Sequence, residues 1–273
     1  MGRVVRFIAG LFPLVWTVPA FAAEPSLGSS FEIVGPVSPP PAEMRGSRFS
    51  SQFALTVRPA AAVTLGGAIP AELAGKFGAK TDVPFNVGRQ LYGWPERPGL
   101  FCDLLRARGL GLSAACLLDR DLDGRFEEAT RLDFNSGSGD ILGITPSHKI
   151  IGVRLTKVRV MLPAPIAYSK SEPDPSVTGK IVLYWEKSPK NGPPVEHIYL
   201  GTPDNYTGTD GLSDKVLAFR GDHLPMDVDL YGLKVRLLGH DEKGALRYTV
   251  LETTRGALVP LVFRGYVIHI IGY

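Results

Sequence analysis

The segment Asp119-Arg-Asp-Leu-Asp-Gly-Arg-Phe-Glu-Glu128 places three aspartates at alternate positions and ends on two glutamates. Carboxylates crowded into one turn of chain repel one another, and a hard divalent cation converts that repulsion into coordination. Asp119, Asp121 and Asp123 would supply oxygens at loop positions 1, 3 and 5, and Gly124 would permit the sharp turn. Arg125 would offer its backbone carbonyl, with Glu127 and Glu128 close enough in sequence to complete the shell. Calcium is the ion this oxygen-only set suits, in a structural role that pins the turn. The same residues have a plainer use. Arg120, Arg125 and Arg131 can neutralise the cluster, and the aspartates can make Asx-type bonds to nearby backbone.

These residues resemble the first half of an EF-hand loop. They also resemble the short extracellular calcium motif of the Excalibur type, DxDxDGxxCE, whose last Glu falls on Glu128. The likeness covers about ten residues and departs from both patterns. Thr130 stands where an EF-hand has its closing bidentate Glu, Glu127 stands at the Excalibur cysteine, and apolar Leu122 occupies position 4. A closing ligand must therefore come from Glu127, Glu128 or Asp133, which implies a weaker site of extracellular type.

What holds this loop must be β-structure. Cys102 and Cys116 lie in the runs Leu100 to Leu105 and Ala114 to Leu118, joined by Arg106-Ala-Arg-Gly-Leu-Gly. A bridge between them would clamp the pair as a hairpin just before the acidic loop. Alternating apolar residues mark further strands over Gln52 to Gly66, Gln90 to Trp94, Lys180 to Glu186, Val195 to Leu200, Lys215 to Arg220, Leu258 to Phe263 and Tyr266 to Ile271. Lys149 to Leu162 reads as one long strand with a bulge near Thr156-Lys157. Gly239-His-Asp-Glu-Lys-Gly244 joins Lys234 to Leu238 and Leu246 to Leu251 as a hairpin. Pro163 to Pro175 reads as a proline-rich loop, and Pro70 to Phe77 suits one short helix. The expected fold is all-β and mainly antiparallel, a sandwich or open barrel with long Pro/Gly-rich loops and at most one or two short helices.

The chain start has Arg3 and Arg6, an apolar run from Phe7 to Val18, then Pro19-Ala20-Phe21-Ala22-Ala23. That order of charge, apolar core and small residues is what a signal peptidase cuts, here after Ala22. The apolar run is shorter than the ~20 residues a membrane span wants, so no stable membrane insertion is expected after cleavage. Residues 1–22 are thus expected to be a signal peptide, 23–48 an extended lead-in, and 49–273 a β-rich body with a possible subdivision into 49–145 and 146–273. Export would make the protein periplasmic or secreted, where an even pair of thiols forms a disulfide. The formal net charge of +3 falls to +1 without Arg3 and Arg6, which disfavours nucleic acid as a partner.

Other chemistry is thinly represented. Among the five histidines (148, 197, 223, 240 and 269) no two are closer than 17 residues, so zinc would require Asp222-His223 and His240-Asp241 to converge in space. Asn135-Ser-Gly-Ser-Gly-Asp140 lacks the first Gly of a nucleophile elbow and reads as a loop. Arg220-Gly-Asp222 and the sequon Asn205-Tyr-Thr207 are short enough to arise from turn chemistry. Tyr92, Trp94, Tyr184, Trp185, Tyr199 and Tyr206 either line a groove or, as favoured here, pack in the core. The function expected is a binding or structural module of the cell envelope, meeting an envelope glycan or protein. Its competitor is a hydrolase acting on an envelope polymer, and catalysis is the less favoured of the two.

Overall fold

Leu233, Val235 and Leu237 are buried while Lys234 and Arg236 between them are exposed, the period-2 signature of a strand with one wet face. The same logic extends through the computed structural model. It describes residues 29–263 except 37, 39, 48, 49, 52, 70–84, 104–112, 135–140, 145–149, 188–194, 204–210 and 214–216. The readings at 1–22, Pro70 to Phe77, Asn135 to Asp140, Asn205 to Thr207, His148, His269 and Tyr266 to Ile271 lie outside these residues.

In chain order the strands are β1 (Ser29–Pro36), β2 (Met44–Ser47), β3 (Ser50–Ser51), β4 (Ala54–Pro59), β5 (Ala61–Leu65), β6 (Gln90–Trp94), β7 (Arg97–Cys102), β8 (Ser113–Leu118), β9 (Arg125–Phe134) and β10 (Ile141–Ile144). They continue as β11 (Ile150–Ser171), β12 (Gly179–Lys187), β13 (Val195–Gly201), β14 (Gly211–Ser213), β15 (Leu217–Arg220), β16 (Met226–Leu230), β17 (Leu233–His240), β18 (Leu246–Thr253) and β19 (Leu258–Phe263). Among the described residues the strand pairings are antiparallel and the helical content is a single 3₁₀ turn at Gly221–His223. The expected all-β class holds.

Two sheets form a sandwich. The first runs β12-β4-β1-β19-β14-β13-β15 and the second β16-β17-β18-β2-β3. Ile33, Leu55, Val57, Leu183 and Ile198 from the first pack in one cluster with Met44, Leu230, Val235, Leu237 and Tyr248 from the second. Each such side chain, fully buried, stabilises the fold by about 1.5–3 kcal/mol. On the wet face, directly opposed residues carry opposite charge: Lys234 meets Glu252 at 2.6 Å and Arg236 meets Asp227 at 2.7 Å.

The remaining strands run β10-β11-β5-β6-β7-β8-β9, and β11 pairs with β9 as well as β5. Strands β5, β6, β7, β8, β9 and β11 therefore close into a ring. Its two faces are both apolar, since neighbours such as Leu91 and Tyr92, or Cys116 and Leu117, fall in different buried clusters.

Two segments depart from expectation. The composition of residues 23–48 predicts an extended lead-in, yet β1 lies between β4 and β19 in the first sheet with Phe31 and Ile33 buried, and β2 joins the second sheet. The prolines of Pro163 to Pro175 predict a loop, yet β11 continues to Ser171. The ladder shifts register between Met161 and Ile166, so exposed Pro163 and Pro165 fall in a bulge where no ladder N–H is required. The bulge expected near Thr156-Lys157 is present as a shift between Leu155 and Arg159. The first sheet draws strands from both sides of position 146.

Cys102 and Cys116 are bonded, sit opposite each other in the β7–β8 register, and are fully buried. Replacing both by alanine is expected to cost about 3 kcal/mol, from the freed loop entropy of the unfolded chain. Denaturant titration would show a lower midpoint at similar slope; an unchanged midpoint would mean that the hairpin holds without its bridge.

Candidate metal centre and a buried Glu–His pair

The acidic loop connects β8 to β9, whose last pair is Leu118 with Glu128. Three neighbours anchor it. The Asp119 N–H donates to the Gly99 carbonyl at 2.9 Å, and the Tyr168 N–H on β11 donates to the Gly124 carbonyl at 3.1 Å. Beneath it Phe126 stacks on Tyr168 with centroids 4.3 Å apart, and Phe101 packs against both. The turn itself uses left-handed backbone at Leu122 (φ 62°) and Gly124 (φ 90°). Apolar Leu122 at position 4 has a local reason, because its Cδ2 lies against Gly99, 3.0 Å from where a Cβ would stand.

Asp119 is only 1% exposed. Its Oδ1 accepts the N–H of Leu122 (2.6 Å) and Asp123 (3.3 Å); its Oδ2 accepts the N–H of Gly124 (2.9 Å) and the hydroxyl of Tyr168 (2.7 Å). Four donors fill about four lone-pair sites. Burial pushes this carboxyl up, but the Tyr168 hydroxyl and the three N–H groups outweigh burial and hold it below its usual range. Burial and the adjacent Asp119 together push the Tyr168 phenol well above its ordinary value.

Asp119, Asp121, Asp123 and Glu127 each bring one carboxylate oxygen within 4.8 Å of all the others, a cluster able to hold a metal ion. The other expected ligands are not among these four carboxylates. Glu128 is buried and paired with Arg120 at 2.7 Å, so it is not one of the four. Its side chain leaves β9 one residue after Glu127 and therefore on the opposite face of the strand. Arg125 donates its N–H to Asp123 at 2.8 Å. Asp133 is held by Arg131 at 2.7 Å, further along β9. Asx-type bonding is thus present in the same loop that gathers the carboxylates.

The other sequence candidates separate. Tyr92, Trp94, Tyr184, Trp185 and Tyr199 are all buried, which is the packing use. Arg220 and Asp222 lie at a strand end and in the 3₁₀ turn, 3.8 Å apart, and His223 is exposed beside Asp222. His240 instead meets a residue that the sequence reading did not single out. Its Nε2 lies 2.8 Å from Oε2 of Glu196, which is 2% exposed and also accepts the Trp185 indole N–H at 2.7 Å. The signal was present in β13, where Glu196 shares the inward phase of buried Ile198 and Leu200. Gly221 closes over the pair: a Cβ there would fall 2.8 Å from Glu196 Oε1. His240 lines a surface pocket of about 500 Å³.

No protein family, curated protein or solved structure matches this chain. Function therefore rests on the chemistry of these two sites.

Proposed function

We propose that the protein works outside the cytoplasm, in the periplasm or secreted, as a binding or structural module of the cell envelope whose β8–β9 loop is closed by calcium. The observation that carries this reading is the convergence of Asp119, Asp121, Asp123 and Glu127 within 4.8 Å, on a loop next to a disulfide-bonded hairpin. The disulfide suits an oxidising compartment, and extracellular fluid is where calcium reaches millimolar levels. Among the described residues no helix is long and apolar enough to cross a membrane.

The donor set fits a hard cation, since all four groups are carboxylates and three of them are partly or well exposed. Asp119 already spends its lone pairs on the loop and Tyr168, so Asp121, Asp123 and Glu127 carry most of the ligation. Few protein ligands favour calcium, with its tolerance for water and irregular geometry, over magnesium. They also place the affinity in the weak extracellular range, about 10⁻⁴–10⁻³ M. Isothermal titration is expected to give one calcium per chain in that range, lost in the double variant Asp121→Asn/Asp123→Asn. Absence of saturable binding up to millimolar calcium would sink the reading.

The hydrolase alternative would draw on His240. The walls of its pocket carry no serine, threonine or cysteine among the described residues, and of its carboxylates Glu43 is tied to Arg247 and Asp241 to the N–H groups of Lys243 and Ala245. Binding is the better fit.

A further inference from the structure

We propose that the two bulges of β11 form a docking surface for an anionic lipid bilayer, seated at the headgroup level without crossing it. This rests on the envelope-module reading and gives that module a partner.

Over its 22 residues β11 carries Arg154, Lys157, Arg159 and Lys170 and no Asp or Glu. All four cations are exposed, and no carboxylate among the described residues forms an ion pair with them. Between Leu155 and Arg159 the strand has three residues where β9 has one, and between Met161 and Ile166 four where β9 has one. The surplus is pushed outward: Lys157 and Val158 of the first bulge, and Pro163, Ala164 and Pro165 of the second, are exposed. The first bulge is held in shape from within. Arg159 Nη1 donates to the carbonyls of Thr156 at 2.8 Å and Val158 at 3.2 Å, and the Thr130 hydroxyl donates to the Val158 carbonyl at 2.7 Å. These acceptors are neutral, so the Arg159 charge is not cancelled.

Beside those cations stand bare aliphatic groups. Val158 is 45% exposed and Met161, between the two bulges, is 64% exposed. Cations flanking exposed aliphatic side chains on one protrusion complement an anionic bilayer, where apolar groups enter the acyl boundary and Lys and Arg stay with the phosphates. A patch built for a protein partner is expected to be rich in aromatic residues, and Thr156 to Pro165 contains none. The acids nearby do not oppose this. Glu128, opposite Met161, is buried and spent on Arg120 at 2.7 Å. The carboxylates of the β8–β9 loop lie beyond Glu128 from the first bulge, and calcium bound there would offset them.

The test is flotation of the mature protein with lipid vesicles in EGTA at low salt. One arm uses phosphatidylglycerol mixed with phosphatidylcholine, the other phosphatidylcholine alone. Binding is expected to be at least roughly tenfold stronger on the anionic vesicles and to fall as salt is added. Lys157→Glu should weaken it roughly tenfold, and Met161→Ser roughly threefold. Both side chains are exposed, so both variants should melt like wild type. No flotation on anionic vesicles, equal flotation on both kinds, or Lys157→Glu binding as wild type does would overturn the assignment. Calcium titration of the same protein without vesicles reads the β8–β9 loop by itself, so failure of the calcium site and failure of the docking surface are told apart.

Discussion

Asp119→Ala is expected to lower stability by about 4 kcal/mol, the largest effect of any single acidic residue in the loop. The variant strands three backbone N–H groups and the Tyr168 hydroxyl that now donate to one buried carboxylate. An unsatisfied buried group costs about 1–3 kcal/mol, and water reaching the exposed side of the loop reduces the sum below full additivity. Asp119→Asn keeps one acceptor oxygen but turns an amide donor toward other donors, so about half the loss is expected. Asp121→Asn, an exposed change, should alter stability without metal by less than about 0.5 kcal/mol.

The pH dependence follows in sign. Asp119 is held below its usual value of 3.8 in the folded protein, so its contribution is whole above that pH. It fades as pH falls through 3.8 toward the folded value. Denaturant titrations of wild type and Asp119→Asn should therefore differ at neutral pH and converge in acid. A gap that persists unchanged at acid pH would mean that the carboxylate charge is not what organises the loop.

Gly99→Ala is expected to cost about 2–5 kcal/mol although it removes no polar contact. Gly99 has φ +86°, and a Cβ there would stand 2.1 Å from the Asp119 carbonyl oxygen. Left-handed backbone costs an alanine about 1–2 kcal/mol, and the forced shift about 1–3 more. Gly124 is the control: φ is +90° but nothing lies within 4 Å, so Gly124→Ala should cost only the backbone strain, about 1 kcal/mol. Equal losses at the two sites, measured by denaturant titration, would show that the close approach of β7 to the loop is not tight. Because Gly99 anchors Asp119, its variant should also blunt the calcium response.

The sequence made these elements legible to different degrees, for physical reasons. Strands such as β4 and β17, wet on one face, announced themselves by alternation. Strand β1 did not, because its two core residues, Phe31 and Ile33, stand beside Gly35-Pro36 and a proline run that read as extended lead-in. The end of β11 was hidden by prolines that a bulge accommodates, and that no single-strand pattern foretells. In the loop, spacing revealed which carboxylates gather, but Glu128 was claimed by Arg120 because the strand alternates faces right after Glu127. The inward phase of Glu196 was legible in β13, but not its pairing, because its partners, Trp185 and His240, come from two other strands. Local spacing can announce a loop; only the assembled sheets can bring a buried carboxylate to a distant imidazole.

Thermal unfolding in EGTA against calcium tests the central claim most directly. At calcium roughly ten times a millimolar dissociation constant, one site adds about 1.4 kcal/mol. That corresponds to a rise in Tm of about 3–5 °C for a chain of this size. The double variant Asp121→Asn/Asp123→Asn should melt at the same temperature with and without calcium, and no lower than wild type in EGTA, since its carboxylate repulsion is gone. A wild-type Tm indifferent to calcium, or an equal rise in the double variant, would contradict the assignment of this loop as a calcium site.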